Sequence, residues 1–298
     1  MRTVAVLDAP SNLGLRPPKP GTVPGTAKAP GALRDAGLLS RLGAEDAGHL
    51  VAPRYDRADW QPGDGVFHAA QIAGYAGRLA ARVGDLLGAG RFPVVLGGDC
   101  GILLGTGAAV RRHVRRAGLV YLDGHSDFRH PGNSEHVGAA AGEALALVTG
   151  RGQPDLSNVD GSGPIFADDS VVLMGIREDD EASEELADTE IMVRTAAEIQ
   201  SAGAAPSAQW ARERLDGLDG FWVHLDVDIL DAAVMPAVDS PDPGGLEHSE
   251  LAELLSGLTS APNCLGMEVT VFDPDLDPDG ALAEELAATL SAGLALRP

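Results

Sequence analysis

Three apolar runs in this chain each open, at their C-terminal ends, into acid, imidazole or thiol. Pro93-Val94-Val95-Leu96 leads into Gly97-Gly98-Asp99-Cys100. Leu119-Val120-Tyr121-Leu122 leads into Asp123-Gly124-His125-Ser126-Asp127, and Phe221-Trp222-Val223-His224-Leu225 into Asp226-Val227-Asp228. A short apolar run bounded by turn residues has the pattern of a strand buried on both faces, as in parallel sheets. Carboxylates gathered along one sheet edge repel each other unless a cation sits among them. The pattern predicts an α/β sheet whose strand ends hold metal, and more than one ion.

The remaining sequence supports that class. Strands are expected at Thr3–Leu7, Phe92–Leu96, Leu119–Leu122, Val171–Ile176, Ile191–Val193, Phe221–Val227 and Cys264–Val271. Helices are expected at Gly31–Leu42, Val66–Leu87, Leu103–Arg116, Gly138–Val148, Ala205–Leu215, Ser249–Leu258 and Ala281–Leu294. Such alternation implies parallel βαβ units and a sheet covered by helices on both faces. Pro17–Pro30 and Gly150–Gly163 read as loops, neither long enough for an interdomain tether, so residues 1–298 are expected to form one domain. Ligand sites in open α/β sheets lie beyond the carboxyl ends of the strands, which places all three acid clusters on one side.

Charge narrows the partners. The formal net charge is −22, from 44 acids against 22 Lys and Arg. A field of that sign repels phosphate backbones and favours a cationic substrate, which argues against a nucleic-acid partner. No stretch reaches the ~20 apolar residues of a membrane helix, and the segment from Met1 to Leu7 is too short and strand-like for a signal peptide. A soluble cytoplasmic protein with no membrane partner is the expectation. Cys100 and Cys264 do not make a disulfide framework, and Cys264 reads as a small core residue.

The motifs gain weight jointly. Asp226 and Asp228 are two residues apart, so on an extended chain both carboxylates point the same way. Asp123, His125 and Asp127 place three ligand groups at alternate positions. In order and flanks, the boxes Gly97–Cys100, Asp123–Asp127 and Asp226–Asp231 resemble those of the ureohydrolase family, which includes arginase, agmatinase and formiminoglutamase. Further stretches are similar to family segments: Pro24–Arg34, Met174-Gly175-Ile176-Arg177, Met235-Pro236-Ala237 with Gly244-Gly245-Leu246, and Met267-Glu268-Val269.

The resemblance implies a three-layer αβα sandwich, arginase/deacetylase-like, with a mostly parallel sheet of about eight strands. It also implies an amidinohydrolase that splits a guanidino compound, giving urea and ornithine in the arginase case. Carried over by position, Asp123 and Asp226 would bridge two Mn²⁺ ions. His125 and Asp228 would complete one ion's ligands, and Cys100 and Asp127 the other's. Two such ions lower the pKa of a shared water toward neutrality. Asp127 would handle its proton, and Glu268 would pair with the planar guanidinium. Family members are commonly homo-oligomers, so a homo-oligomer is expected.

Three departures bear on the substrate and metal. Cys100 stands where most of the family has His. It could ligate as thiolate and shift that site toward Zn²⁺, Fe²⁺ or Co²⁺, hold an ion weakly, or be inert. Hydroxyarginine amidinohydrolases resemble this chain in having Cys there, which brings in N-hydroxyarginine as a substrate. The loop Phe128–Gly138 is shorter than its arginase counterpart. His136 matches its proton-shuttle His best, with His130 as competitor. Arg129 occupies an Asn position and could bind a substrate carboxylate, disfavouring agmatine, while Asp180, near Glu178, aligns with the residue that grips the α-amino group.

Other readings stay open: a different guanidino or formimino acid as substrate, or a metal-impaired relative without catalysis. A phosphohydrolase built on Asp226 and Asp228 is disfavoured, because no Lys or Arg cluster flanks them.

Overall fold

A computed structural model describes residues 2–294 except 20, 57–59, 160 and 162. Met1, and Pro20, Asp160 and Ser162 within the expected loops, lie outside the described residues. Eight strands form one parallel sheet: β1 (Val4–Ala9), β2 (Glu45–His49), β3 (Phe92–Gly97), β4 (Ala117–Leu122), β5 (Val171–Met174), β6 (Met192–Arg194), β7 (Gly220–Asp226) and β8 (Cys264–Thr270). Their order is β2-β1-β3-β8-β7-β4-β5-β6. The final strand is thus inserted between β3 and β7, and the three acid-tipped strands and β8 are neighbours at the sheet's centre.

Period-two alternation divides the strand residues between two cores. Val94, Leu96, Val120, Leu122, Val223 and Leu225 pack on one face with the helices Ala29–Asp35, Ala204–Arg214, His248–Thr259 and Ala281–Gly293. Val95, Leu119, Tyr121 and Trp222 pack on the other with Ala69–Gly88, Leu103–His113 and Ala144–Val148. This is the expected three-layer sandwich.

Some local expectations fail for identifiable reasons. The helix expected over Gly31–Leu42 breaks into Ala29–Asp35 and Leu38–Leu42, because Gly37 adopts φ +79°. The helix expected from Gly138 begins only at Ala144, since the Glu143 carboxylate accepts from the backbone N–H groups of Gly138 and Ala139 and holds them in a loop. β2, Glu-Asp-Ala-Gly-His, has no hydrophobic signal because it is a largely exposed edge strand. The helix Ala196–Ala202 carries its start signal in the sequence. Thr195 and Glu198 form a reciprocal capping box.

Candidate metal centre

The centre is assembled by backbone turns at the ends of β3, β4 and β7. After β3, Gly98 takes φ +130°, and a Cβ there would lie 2.6 Å from the Ser11 carbonyl oxygen. Asp99 follows, accepting from Ser11 Oγ at 2.6 Å and from Gly101 N at 2.9 Å, which caps the short 3₁₀ turn Cys100–Ile102. Cys100 Sγ therefore points inward and donates to Asp226 Oδ2 at 2.9 Å. After β7, Asp226 Oδ1 accepts from Asp228 N at 2.9 Å, so Asp228 sits in a 3₁₀ turn rather than on extended chain. The two carboxylates converge through that turn, not through strand periodicity.

After β4, Asp123 Oδ1 accepts from His125 N at 2.6 Å. Asp228 Oδ1 accepts from Gly124 N at 2.9 Å, and its Oδ2 meets His125 Nδ1 at 2.9 Å. The other nitrogen of His125 faces Asp242 at 3.1 Å. Asp127 has φ +46°, a left-handed conformation that Asp tolerates better than most residues, and its Oδ2 accepts from Tyr121 OH at 2.6 Å.

Three overlapping donor sets result among the described residues. Ligand atoms of Cys100, Asp123, Asp127 and Asp226 lie within 4.8 Å of one another, as do those of Asp123, His125 and Asp228, and those of Cys100, Asp123 and His224. Asp123 belongs to all three, and its Oδ2 is buried with no hydrogen-bond partner among the described residues. Asp123 is thus common to every set, whereas Asp226 falls within one.

Electrostatics show what the cluster lacks. Burial, then the charges of Asp127, Asp228 and Asp226, pushes Asp123 well above the usual carboxylate range. Burial and the charges of Asp228 and Asp127 do the same to Asp226. Burial raises Asp127 to about 6, against the hydrogen bond from Tyr121. The Cys100 thiol is pushed well up by burial and by Asp226, Asp127 and Asp123. His125 moves the other way. Burial opposes its charge, but Asp228, Asp127 and Asp242 hold its proton, raising it to about 10. Burial would raise Asp228, but the hydrogen bond and charge of His125 outweigh it, and Asp228 moves down.

Above the cluster opens a cavity of about 830 Å³ lined by Cys100, His125, Asp127, Asp226 and Asp228. Arg129, His136 and Asp180 line it as well. Arg129 pairs with Glu181 at the cavity wall. Asp180 accepts from the backbone N–H groups of Ser126 and Ala182, each at 2.9 Å, so its position is fixed. His136 is exposed at the mouth. His130 is not a lining residue. Its ring is held by Glu185 at 2.9 Å and by Gly132 N at 3.1 Å.

Glu268 requires a correction. It is fully buried within β8, and its oxygens are taken by Thr106 Oγ1 and His224 Nδ1, both at 2.7 Å. It does not line the cavity, so it does not present a carboxylate to a guanidinium there.

Two residues carry more than the sequence reading assigned them. Arg177 is buried and donates to the carbonyl oxygens of Gly175, Asp228, Leu230, Asp242 and Pro243, tying the chain after β5 to the loop after β7. Its signal was the cation ending an apolar strand. His224 lies two residues before Asp226 on the same strand face, and a lone imidazole inside an apolar run was the only hint of it.

A parallel sheet with a carboxylate-rich cluster at its central strand ends defines an α/β protein with a candidate metal centre. A sequence model of the Arginase family matches residues 3–296. An arginase of Bacillus caldovelox is 30% identical over 98% of each chain, and one of Brevibacillus brevis 32% identical over 90% of this chain and 91% of the other. The solved arginase from Bacillus caldovelox superposes with a TM-score of 0.89 at 29% identity, covering 100% of this chain and 99% of that one. The chain belongs to the arginase family, hydrolases acting on amidine C–N bonds.

Proposed function

We propose that the chain hydrolyses a cationic guanidino acid of the arginine type in a dinuclear metal centre, releasing urea and an amine. The observation that carries this reading is the cavity. Its floor is Cys100, His125, Asp127, Asp226 and Asp228, and its walls add Asp179, Asp180, Glu181, Asp239 and Asp242. Such a wall attracts a guanidinium and repels anions.

The residues fit divalent ions. Their donors are carboxylates, imidazole and one thiol, and the buried Asp123 Oδ2 has no hydrogen-bond partner among the described residues. Cys100, Asp123, Asp127 and Asp226 would hold one ion, and Asp123, His125 and Asp228 the other. Mn²⁺ suits the oxygen-rich set, whereas the thiol draws its own site toward Zn²⁺, Fe²⁺ or Co²⁺. Bound ions would supply charge that brings a water's pKa toward neutrality.

The chain's own groups do the remaining work. Asp127 Oδ2 is fixed by Tyr121, which leaves Oδ1 to take the proton of the attacking water and pass it to the leaving amine. His136, at the mouth, exchanges protons with solvent. Asp180 meets the substrate's α-ammonium and Arg129 its carboxylate, so agmatine, which has no carboxylate, is disfavoured. Cys100 in place of the usual His favours N-hydroxyarginine as a second substrate, with hydroxyurea as product.

The test is an assay of metal-reconstituted protein against arginine, N-hydroxyarginine, agmatine, guanidinobutyrate and formiminoglutamate. Urea or hydroxyurea from the first two, and little from agmatine, is expected. Turnover of agmatine alone would defeat the assignment of Arg129. Asp226→Ala should remove activity by a factor of about 10³ or more while the protein stays folded. Retained turnover would exclude Asp226 from the centre.

A further inference from the structure

Within that metal centre, whose existence this inference takes from the proposed function, we infer that His224 is a metal ligand. It restores through Nε2 the imidazole that Cys100 removes from the site. A ring nitrogen of His224, Cys100 Sγ and a carboxylate oxygen of Asp123 lie within 4.8 Å of one another. His224 has no exposed surface, and Nε2 has no hydrogen-bond partner among the described residues. A buried ring nitrogen left unpaired is destabilising, so its position calls for a partner. The other orphan in the cluster is Asp123 Oδ2.

The orientation of the ring is built, not accidental. Tyr121, His224 and Glu268 are cross-strand neighbours on β4, β7 and β8. Tyr121 stacks on the imidazole at 4.3 Å between centroids, and Glu268 Oε1 meets Nδ1 at 2.7 Å. A carboxylate there accepts the Nδ1 proton and leaves the lone pair on Nε2. Imidazoles that bind metal are ordinarily oriented this way, with the second nitrogen donating to a carboxylate. Thr106 fixes the far oxygen of Glu268 at 2.7 Å. Glu268 is therefore a positioning residue behind His224, which also explains why it is withdrawn from the cavity.

The sheet supplies the reach. His224 precedes Asp226 by two residues, so both side chains leave the same face of β7, with the imidazole one level beneath the carboxylate. Thiolate, imidazole and carboxylates together form a donor set that favours Zn²⁺, Fe²⁺ or Co²⁺ over Mn²⁺ at this position.

The experiment is an NMR titration of full-length, ¹⁵N-histidine-labelled protein with stoichiometric Zn²⁺, with bound metal counted by elemental analysis. Two imidazoles should report metal: His224 through Nε2 with Nδ1 protonated, and His125 through Nδ1. His224→Gln should lose the Nε2 signal and bind the ion at the Cys100 site at least about tenfold more weakly. Glu268→Gln should keep the signal and lower affinity about 10–100-fold. If His224→Gln does not fold, the tautomer pattern of the wild type decides the matter. A single responding imidazole, bound through Nδ1, overturns the role of His224 and leaves the metal centre standing. No responding imidazole overturns both.

Discussion

At the scale of residues, burial pulls three acids of the centre upward while His125 holds a fourth, Asp228, down. Asp123, Asp226 and Asp127 hold protons in the folded protein that the unfolded chain releases above about pH 4. A carboxylate whose folded pKa is raised contributes stability at low pH and loses it as pH rises through the window, here from about 4 to about 6 for Asp127. Cations displace those protons, so metal binding strengthens with pH. The rise in Tm caused by saturating Zn²⁺ should therefore grow between about pH 5 and about pH 7.5. A Tm increment that stays flat over that range would show that the acids are not displaced by metal. The clustering of Cys100, Asp123, His125, Asp127, Asp226 and Asp228 was legible in the sequence because donor chemistry concentrates in a few residue types at short spacing. The place of His224 beside them was not, because a histidine inside an apolar run also has an ordinary place in a core. Glu268 was misread for a related reason. A short local segment does not reveal which cross-strand neighbour occupies a carboxylate.

Among the elements, strands were read well and short helices poorly. β3, β4 and β7 are buried on both faces, so their apolar runs are continuous and their boundaries nearly correct. β2 is exposed and the split at Gly37 turns on a single backbone angle, so neither leaves a pattern in hydrophobicity. The loop after β7 depends on Arg177, whose guanidinium satisfies five carbonyl oxygens from two segments. Arg177→Ala leaves those acceptors without their donor, and stability in urea should fall by about 3 kcal/mol. Arg177→Lys should recover only part, because an ammonium cannot reproduce the planar fork. Since Asp228 is among the anchored residues, the loss of metal affinity should exceed that of a surface Arg replaced by Ala. Equal losses would mean that the loop keeps its shape without the clamp.

For the molecule as a whole, a net charge of −22 and an acid-walled cavity act in one direction. Substrate capture by a cation should be salt-sensitive. Raising ionic strength from about 0.02 to about 0.2 M should lower kcat/KM severalfold and leave kcat nearly unchanged. Salt-independent kcat/KM would confine the acids to a solubility role. The strand order carries a different consequence, one of timing. β8 is the last strand in the chain, yet it lies between β3 and β7 and brings Glu268 and Thr270 to the centre. During synthesis, Cys100, Asp123 and Asp226 are all made before the strand that seats His224 exists. Under the proposed function, the complete donor set therefore exists only once the final segment has entered the sheet.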